Sequence, residues 1–458
     1  MRAALDQGQI RPIALTERVI AGIDRLDRRL GAFTVVTRQR AMKEAAEAEA
    51  ALAAGDKGRP LLGIPYAVKD LFDVAGEATT AGTRLQKDNL AREDCGLVRK
   101  LAKAGMILVG KTHTTQLASN VIGFNPDFGT PHNPWQANPW IPGGSSGGAA
   151  VSVAAGLVPV SLGTDTGGSV RIPAALCGIV GLKTTYGRVS RAGVYPLCPS
   201  LDTVGPLTRS VRDAAEILAA IQGGDPDDSG TLGRRYRDPT IDLASAVTGL
   251  RVAFDEAFFL RDAEPEVEKA FDQALRDLET LAVEVVPVSL STLREAAGLD
   301  WWHYFAAEAY ASNRHLFEGD ADALDPGVHW MREGAALDPQ EVSRALRQRE
   351  RLAAALAAEL ADYDGLIAPT STLTALPLDG IGGRSHIFED VYAHNAVIGN
   401  ILSLCGVSVP CGFSSAGMPI GLTVYAKPFE EEVALRLANA FETATSWHLQ
   451  RPDLSWAD

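Results

Sequence analysis

The stretch from residue 141 to residue 171 constrains the fold of this chain more than any other. It contains two glycine-rich loops that carry serines, at residues 143–148 and 163–171, on either side of a run of small apolar residues. Glycine lets the backbone approach a ligand closely, and consecutive free N–H groups in such turns form anion-binding nests. A serine at position 169 would therefore lie beside donors suited to an oxyanion, as acyl-transfer chemistry requires.

Apolar runs and helical patterns alternate along the chain. Runs typical of buried strands cover residues 61–68, 106–111, 158–162, 178–183, 365–370, 407–411 and 420–425. Helical spacing or composition predicts helices at residues 11–30, 40–54, 95–104, 149–157, 264–282, 338–361 and 430–443. The alternation favours an α/β fold whose sheet carries helices on both faces.

Two regions interrupt this alternation. Residues 200–207 are predicted to form a loop before a helix that begins near Ser210, with Asp213 placed to complete its N-cap. Residues 223–249 are polar and rich in proline and aspartate, which indicates a long excursion or a joint between subdomains. Since no internal repeat is visible, the simplest interpretation is a single domain over residues 1–458 with a mainly helical excursion at about 223–363.

Charge and composition exclude several classes of protein. The net charge of -14, with no strongly basic block, argues against direct contact with nucleic acid. The five cysteines lack a C-x-x-C spacing, which predicts reduced thiols in a cytoplasmic protein. No signal peptide, no apolar run of the ~20 residues that a membrane span needs, and no metal-ligand spacing of histidines is visible. We therefore expect no membrane contact, no metal and no cofactor.

Ser169 is the leading candidate for a nucleophile. It ends the turn at residues 166–168 and precedes a predicted helix that begins near Pro173. A nucleophilic serine needs a base that removes its proton and donors that stabilise the developing oxyanion. The alternative is that Gly-Gly-Ser is an ordinary turn.

No histidine stands out as the base, and Lys69 is the candidate instead. It ends an otherwise apolar strand, where burial would favour the neutral amine. The alternative is a strand-end lysine paired with Asp70 or Asp73.

The remaining polar residues of the two loops are expected to assist. Ser145 and Ser146 could relay a proton or hold the base through hydrogen bonds, and the alternative is a helix N-cap. Asp165 and Arg171 bracket the nucleophile and have opposite charges, so we expect them to pair and hold its loop rather than to contact the substrate.

Taken together, these motifs resemble the amidase signature family. The matching segments follow one another in the family's order and span nearly the whole chain, at residues 63–70, 143–148, 163–173, 178–183, 200–206 and 409–413. The resemblance implies the amidase signature fold, a central mixed β-sheet covered by α-helices on both faces.

The resemblance also implies a Ser–cis-Ser–Lys triad. Ser145, after a cis peptide bond from Gly144, would be the relay, Ser169 the nucleophile and Lys69 the general base. Lys69 would take a proton from Ser145, which takes one from Ser169 as it attacks the carbonyl. The implied oxyanion hole consists of the N–H groups of Thr166, Gly167, Gly168 and Ser169.

Substrate-binding residues are expected near this triad. The main candidates lie in segments 119–124 and 140–141 and comprise Ser119, Asn120, Ile122, Trp140 and Ile141. Cys198 and either Tyr304 or Phe305 are further candidates.

The sequence departs from the family's common pattern at two places. Gln116 and Leu117 replace a frequent acidic–aromatic pair, and Thr184 and Thr185 follow Lys183 where a proline often comes first. The first departure lies near the expected acyl pocket and therefore bears on the substrate.

The sequence predicts an amidohydrolase that cleaves the C–N bond of a small amide-like molecule through a Ser169 acyl-enzyme. Aryl amides, carbamates and esters suit the same chemistry. The alternative is a glutaminase of the amidotransferase A type, which works only inside a tRNA-dependent complex. The sequence does not fix the oligomeric state, and a homodimer is compatible with it.

Overall fold

The computed structural model of the chain contains one sheet of eleven strands. The structure describes residues 1–56, 58–379, 381 and 385–458, without the side chains of residues 385–390. The strands are β1 (Phe33–Val36), β2 (Pro65–Lys69), β3 (Ile107–Thr112), β4 (Val160–Asp165), β5 (Val180–Lys183), β6 (Thr203–Thr208), β7 (Arg251–Phe254), β8 (Glu284–Pro287), β9 (Gly365–Pro369), β10 (Cys405–Phe413) and β11 (Pro419–Ala426). Their order across the sheet is β1-β3-β2-β4-β6-β5-β10-β11-β9-β7-β8.

Parallel and antiparallel pairs occupy different parts of the sheet. β2 runs parallel to both of its neighbours, β3 and β4. At the opposite end, β7 runs parallel to β8 and β9. The middle of the sheet, from β4 through β6, β5, β10 and β11 to β9, is antiparallel throughout. The sheet is therefore mixed, as the family resemblance implied.

Helices fill the connections between the strands. They are α1 (Arg2–Asp6), α2 (Pro12–Leu30), α3 (Arg38–Ala53), α4 (Gly96–Lys103), α5 (Gly147–Ala154), α6 (Arg171–Cys177), α7 (Val211–Ile221), α8 (Glu256–Phe259), α9 (Pro265–Thr280), α10 (Ser291–Ala297), α11 (Trp302–Gly319), α12 (Pro339–Glu359), α13 (Ser385–Ile401) and α14 (Glu431–Ala444). The helices predicted at 264–282 and 338–361 correspond to α9 and α12. The one predicted near Ser210 is α7, where the Ser210 side chain accepts the N–H of Asp213.

Both faces of the sheet are covered, which confirms the α/β prediction. Successive residues of β2 alternate between two apolar clusters, with Tyr66 and Val68 in one and Ala67 in the other. The first cluster includes the apolar sides of α4, α7, α9 and α14. The second includes α3 and α5, whose small residues let these helices pack closely on the strands.

The prediction of a loop at residues 200–207 is wrong, because residues 203–208 form the strand β6 in the middle part of the sheet. The sequence did not predict this strand because it contains Gly205 and Pro206, two residue types that are typical of turns. A side chain at Gly205 would lie 1.8 Å from the carbonyl oxygen of Leu182, so the backbones meet there only with glycine. β5 pairs with β6 only at Leu207 and Thr208, so the proline nitrogen removes no hydrogen bond on that side.

The excursion at residues 223–363 contains α8 to α12, but it also contributes β7 and β8 to the sheet. Each of these strands has only four residues, and half of β8 is exposed. Such short, weakly apolar segments give no clear period of two.

Two further predictions concern the chain as a whole: that its cysteines are reduced and that no segment spans a membrane. All five cysteines are free and buried. Within the described residues, no helix combines the length and apolar character needed to cross a bilayer.

Candidate active site

Lys69 lies buried at the end of β2, beside the end of β4. Because β2 and β4 are parallel, their carboxyl ends meet at one edge of the sheet. The Nζ of Lys69 is 2.8 Å from the Oγ of Ser145 and 2.9 Å from the Oγ1 of Thr164, which precedes the last residue of β4. The strand geometry thus places the amine against the first serine loop.

Burial lowers the pKa of Lys69 to about 7, and the negative charges of Asp202 and Asp165 oppose that shift. The carboxylates that follow Lys69 in the sequence are bound elsewhere. Asp70 pairs with the fully buried Lys111 at 2.6 Å, and Asp73 accepts the Thr79 hydroxyl at 2.7 Å. Lys69 is therefore a lysine without a carboxylate contact among the described residues, rather than a partner of Asp70 or Asp73.

The first serine loop presents its two serines differently. The peptide bond between Gly144 and Ser145 is cis, and the Ser145 hydroxyl meets Lys69. Ser146 stands at the N-cap of α5 but makes no side-chain cap bond. Its hydroxyl donates to the carbonyl of Thr164 at 3.2 Å, and its N–H donates to the carbonyl of Ser169 at 3.2 Å. Ser146 thus ties the first serine loop to β4 and to the second serine loop.

The second serine loop is held by a buried ion pair. Arg171 meets Asp165 through two guanidinium nitrogens, at 2.9 and 3.0 Å, and both side chains are fully buried. Arg171 also donates to the hydroxyl of Tyr425 and to the side-chain oxygen of Asn400, both at 2.7 Å. The guanidinium holds the pKa of the Asp165 carboxyl well below its usual range despite burial. The expected pairing of these residues is present.

The same carboxylate also binds backbone donors around the serine. Asp165 accepts the N–H of Gly168 at 2.9 Å and the N–H of Val170 at 3.2 Å. The Gly168 donor, one of the four expected in the oxyanion hole, therefore points at Asp165. The backbone N–H groups of Thr166, Gly167 and Ser169 make no hydrogen bond to any described residue.

Asp202 is a site residue that the sequence reasoning missed. Its carboxylate accepts the Thr166 hydroxyl at 2.6 Å and the N–H groups of Leu197 and Cys198. Burial raises its pKa to about 6. The residue falls in the segment assigned to a loop, so nothing in its neighbourhood suggested a carboxylate beside the second serine loop.

A cavity of about 450 Å³ opens above Ser169. Ser169, Thr166 and Gly167 line it, together with residues of segment 118–121 and of α13. Four aromatic side chains, here called the aromatic wall, also line it: Trp301, Trp302, Phe305 and Trp330. The cavity lining therefore combines apolar side chains with the polar groups of Ser119, Thr166 and Ser169 and with Arg261 and His394.

The predicted pocket residues divide into two groups. Ser119 lines the cavity, and Asn120, Ile122, Trp140 and Ile141 do not. Asn120 bonds the backbone of its own loop, through the Phe124 carbonyl and the Gly123 N–H. Ile122 and Ile141 belong to a buried apolar cluster that includes residues of α6, and Trp140 packs against that cluster.

Two of the further candidates are also placed away from the cavity. Phe305 lines it, whereas Tyr304 is fully buried in the core. The Cys198 thiol is buried 3.2 Å from Glu308. The sequence analysis did not name Trp301, Trp302 or Trp330 as pocket residues. They lie in the excursion, where the sequence does not show which side of a helix faces the cavity. Among the described residues, no group of acidic, histidine or cysteine side chains is arranged to hold a metal ion.

A family model described as Amidase matches residues 14–435 of this chain. The chain belongs to the amidase signature family. A curated relative, the A-subunit of glutamyl-tRNA(Gln) amidotransferase from Roseiflexus sp. (strain RS-1), is 36% identical over 484 residues, which cover 99% of this chain and 97% of the relative.

Solved structures agree with the family assignment. Native peptide amidase from Stenotrophomonas maltophilia matches with a TM-score of 0.84 at 31% identity, over 99% of this chain and 97% of that one. An inhibitor-bound complex from work on the origins of an s-triazine catabolic enzyme gives 0.90 at 31% identity, over 96% and 97% of the chains. The chain therefore has the amidase signature fold and is an enzyme that acts on amides.

The departure at Gln116 and Leu117 shapes one side of the cavity. Leu117 and Ala118 have positive φ values of 51° and 58°, a conformation that side chains disfavour. Gln116 is buried and bridges two distant segments, donating to Asp127 at 2.8 Å and accepting the N–H of Asp325 at 2.9 Å. These bonds hold the turn that brings Ala118 to the cavity.

Proposed function

We propose that this enzyme hydrolyses the C–N bond of small amides through an acyl-enzyme on Ser169. The observation that carries the proposal is the 2.8 Å contact between the Lys69 Nζ and the Ser145 Oγ, made by a buried amine whose pKa is about 7. At neutral pH and above, such an amine is available as a base.

The two contacts of Lys69 suit the neutral amine. A neutral amine has two N–H donors and one lone pair, so it can donate to the Thr164 hydroxyl and accept the Ser145 proton. Ser145 then accepts the proton of Ser169 as the latter attacks the amide carbonyl. Ser146 supports this relay, because its N–H bonds the Ser169 carbonyl and keeps the two loops in contact.

The oxyanion would be stabilised by the backbone N–H groups of Thr166, Gly167 and Ser169. Gly168 takes no part, because its N–H is bound to Asp165. Collapse of the tetrahedral intermediate breaks the C–N bond, and Ser145 returns its proton to the leaving amine. Water then attacks the acyl-enzyme by the same proton route, releasing the acid and freeing Ser169.

The test is a turnover panel on purified protein with a primary aliphatic amide, an aryl anilide, an aryl carbamate, an ester and glutamine. Ser169→Ala serves as the blank, and Ser152→Ala is the matched control, because Ser152 is a buried serine of α5 that bonds only its own helix. Release of amine or ammonia by the wild type and by Ser152→Ala, but not by Ser169→Ala, supports the proposal. Equal release by Ser169→Ala refutes it.

The second candidate is the glutaminase component of a tRNA-dependent amidotransferase. It is favoured by the names of curated relatives, including the 36% identical protein from Roseiflexus. The cavity favours the first candidate, since its described lining includes no carboxylate that could bind the ammonium group of glutamine. Ammonia release from glutamine is therefore measured with the protein alone and with any complex that co-purifies with it. Glutaminase activity found only in the complex would replace the first candidate by the second.

A further inference from the structure

The cavity above Ser169 combines an aromatic wall with a positively charged group. The rings of Phe305 and Trp330 are stacked with centroids 4.9 Å apart and an interplanar angle of 9°. Trp302 lies 4.7 Å from Trp330, and Trp301 lies 5.1 Å from Phe305. The four side chains thus form one continuous aromatic surface, suited to a planar ring.

Two backbone segments build this wall together. Trp302 and Phe305 occupy the first turn of α11, while Trp330 belongs to the 3-10 helix Pro326–Ala336. A side chain at Gly334 would lie 2.1 Å from the carbonyl oxygen of Ala306, so this glycine lets the 3-10 helix lie directly on α11. The packing of these two segments on each other holds the wall in place.

Arg261 supplies the charge, and a neutral histidine orients it. Nη2 of Arg261 is 3.3 Å from Nδ1 of His394, whose Nε2 is 3.2 Å from the carbonyl oxygen of Phe258. A carbonyl oxygen only accepts, so Nε2 carries the ring proton and Nδ1 accepts from Arg261. Burial lowers the pKa of His394, the bond to the Phe258 carbonyl opposes that shift and the charge of Arg261 adds to it, so the neutral ring is favoured at neutral pH.

This arrangement leaves the guanidinium charge available to a ligand. Among the side chains that the structure describes, Arg261 pairs with one acidic group, Asp262, at 3.8 Å, and the Asp262 side chain is 85% exposed, so water screens that pair. The neutral ring of His394 has no negative charge that could offset the guanidinium charge of Arg261. Among the described residues that line the cavity, Arg261 is the one with a net charge.

We propose that the preferred substrates are amides of aromatic compounds that carry a carboxylate, with the ring against the aromatic wall and the carboxylate at Arg261. The proposal rests on the amide hydrolysis proposed above and adds the class of substrate. A guanidinium favours a carboxylate through paired N–H donors, and an aromatic surface favours the ring. The aromatic wall and Arg261 serve specificity and take no part in the proton transfers.

The kinetic test compares acids with neutral analogues of the same shape. 4-Acetamidobenzoate carries the carboxylate on the leaving amine and is compared with 4′-methylacetanilide. 4-Carbamoylbenzoate carries it on the acyl part and is compared with 4-methylbenzamide. We expect at least one acid to exceed its neutral analogue in kcat/KM by about fivefold or more, a modest factor because Arg261 is partly exposed. Equal values in both pairs overturn the proposal while leaving amide hydrolysis intact.

Variants show whether Arg261 causes the preference. Arg261→Gln is expected to raise KM for the preferred acid with kcat and the neutral analogue unchanged, and Arg261→Lys to restore part of the difference. Arg314→Gln is the matched control, since Arg314 is an exposed arginine of α11 paired within its own helix. A preference that survives in Arg261→Gln, or a loss that affects the neutral analogue equally, overturns the proposal.

A binding measurement separates this proposal from the proposed chemistry. Three of the seven tryptophans belong to the aromatic wall, so a ring bound there changes the intrinsic fluorescence. 4-Carbamoylbenzoate is titrated into Ser169→Ala and into Ser169→Ala/Arg261→Gln. Saturable quenching that weakens by about fivefold or more in the double variant supports the aromatic acid site, even where the wild type hydrolyses no amide. Quenching of equal affinity in both variants, or none in either, overturns it.

Discussion

The second serine loop and the aromatic wall line one cavity, but the serine loops and the wall are built in opposite ways. The serine loops are fixed by polar contacts, including a buried ion pair and hydrogen bonds from Asp165 to the backbone. The aromatic wall is fixed by ring packing between α11 and the 3-10 helix that lies on it. Polar contacts demand particular residue types at particular positions, whereas apolar packing accepts many shapes that fill the same space. The proposed catalytic residues therefore tolerate few substitutions, whereas many apolar residues could form a wall of similar shape.

The largest expected effect tests the polar side of this comparison. Lys69→Ala removes the proposed base, so we expect kcat/KM to fall by about 10³-fold, within the range for loss of a general base. Turnover of an aryl anilide measures the loss, and circular dichroism checks the fold. Ser152→Ala, a change at a buried serine outside the proposed triad, is expected to retain wild-type turnover. Near wild-type activity in Lys69→Ala would refute the assignment of the base.

Arg171→Met should break the support of the second serine loop. It leaves the Asp165 carboxylate buried without its cation, which typically costs about 3–5 kcal/mol of unfolding free energy. Urea unfolding measures the change. Arg314→Met removes an exposed pair with Glu318 that water screens, so it should leave the stability essentially unchanged. If both variants lose the same stability, the buried pair does not hold the loop.

The pH profile tests whether the amine of Lys69 acts as the base. The neutral form is the active form, so kcat/KM should rise with pH, reach half its maximum near pH 7 and then level off. At pH 5 we expect about one hundredth of the plateau value, because the neutral fraction falls tenfold per pH unit. Asp202→Asn removes a charge that favours the ammonium form, so its midpoint should move to lower pH. A flat profile between pH 5 and 8 would contradict the assignment.

The smallest expected effect tests the apolar side. Trp330→Leu keeps an apolar side chain but removes the ring stacked on Phe305. We expect KM for an aryl amide to rise by about fivefold to tenfold, the equivalent of one aromatic contact, with kcat little changed. The same variant should leave KM for a small aliphatic amide unchanged, since that substrate does not reach the aromatic wall. A fall in kcat for both substrates would mean that the wall also positions the serine loops.

The contrast between the two regions explains how much the sequence could predict. The serine loops combine glycine, serine and a charged pair at fixed spacing. The family resemblance that these residues carry implied the contact between Lys69 and Ser145, and the opposite charges of Asp165 and Arg171 predicted their pairing. The donor of Gly168 was assigned to the oxyanion because the sequence does not show which way an N–H points. Only the structure shows that it is bound to Asp165.

The parts that the sequence did not predict share one cause. Trp330 and Trp302 meet across 28 positions, and Arg261 meets His394 across 133. No local pattern marks such contacts, because helical spacing identifies a buried face without naming what packs on it. The strand β6 was missed for a related reason: Gly205 and Pro206 favour turns locally, and the neighbouring strands override that preference.

The buried pair between Asp70 and Lys111 has a consequence for anyone who would transplant this site. Asp70 follows Lys69 directly and is fully buried, and Lys111 on the neighbouring strand pairs with it at 2.6 Å. A graft that carried Lys69 and Asp70 without Lys111 would leave a buried carboxylate without its cation, which is strongly destabilising. The stability of the strand that ends in one lysine therefore depends on a second lysine on its neighbour.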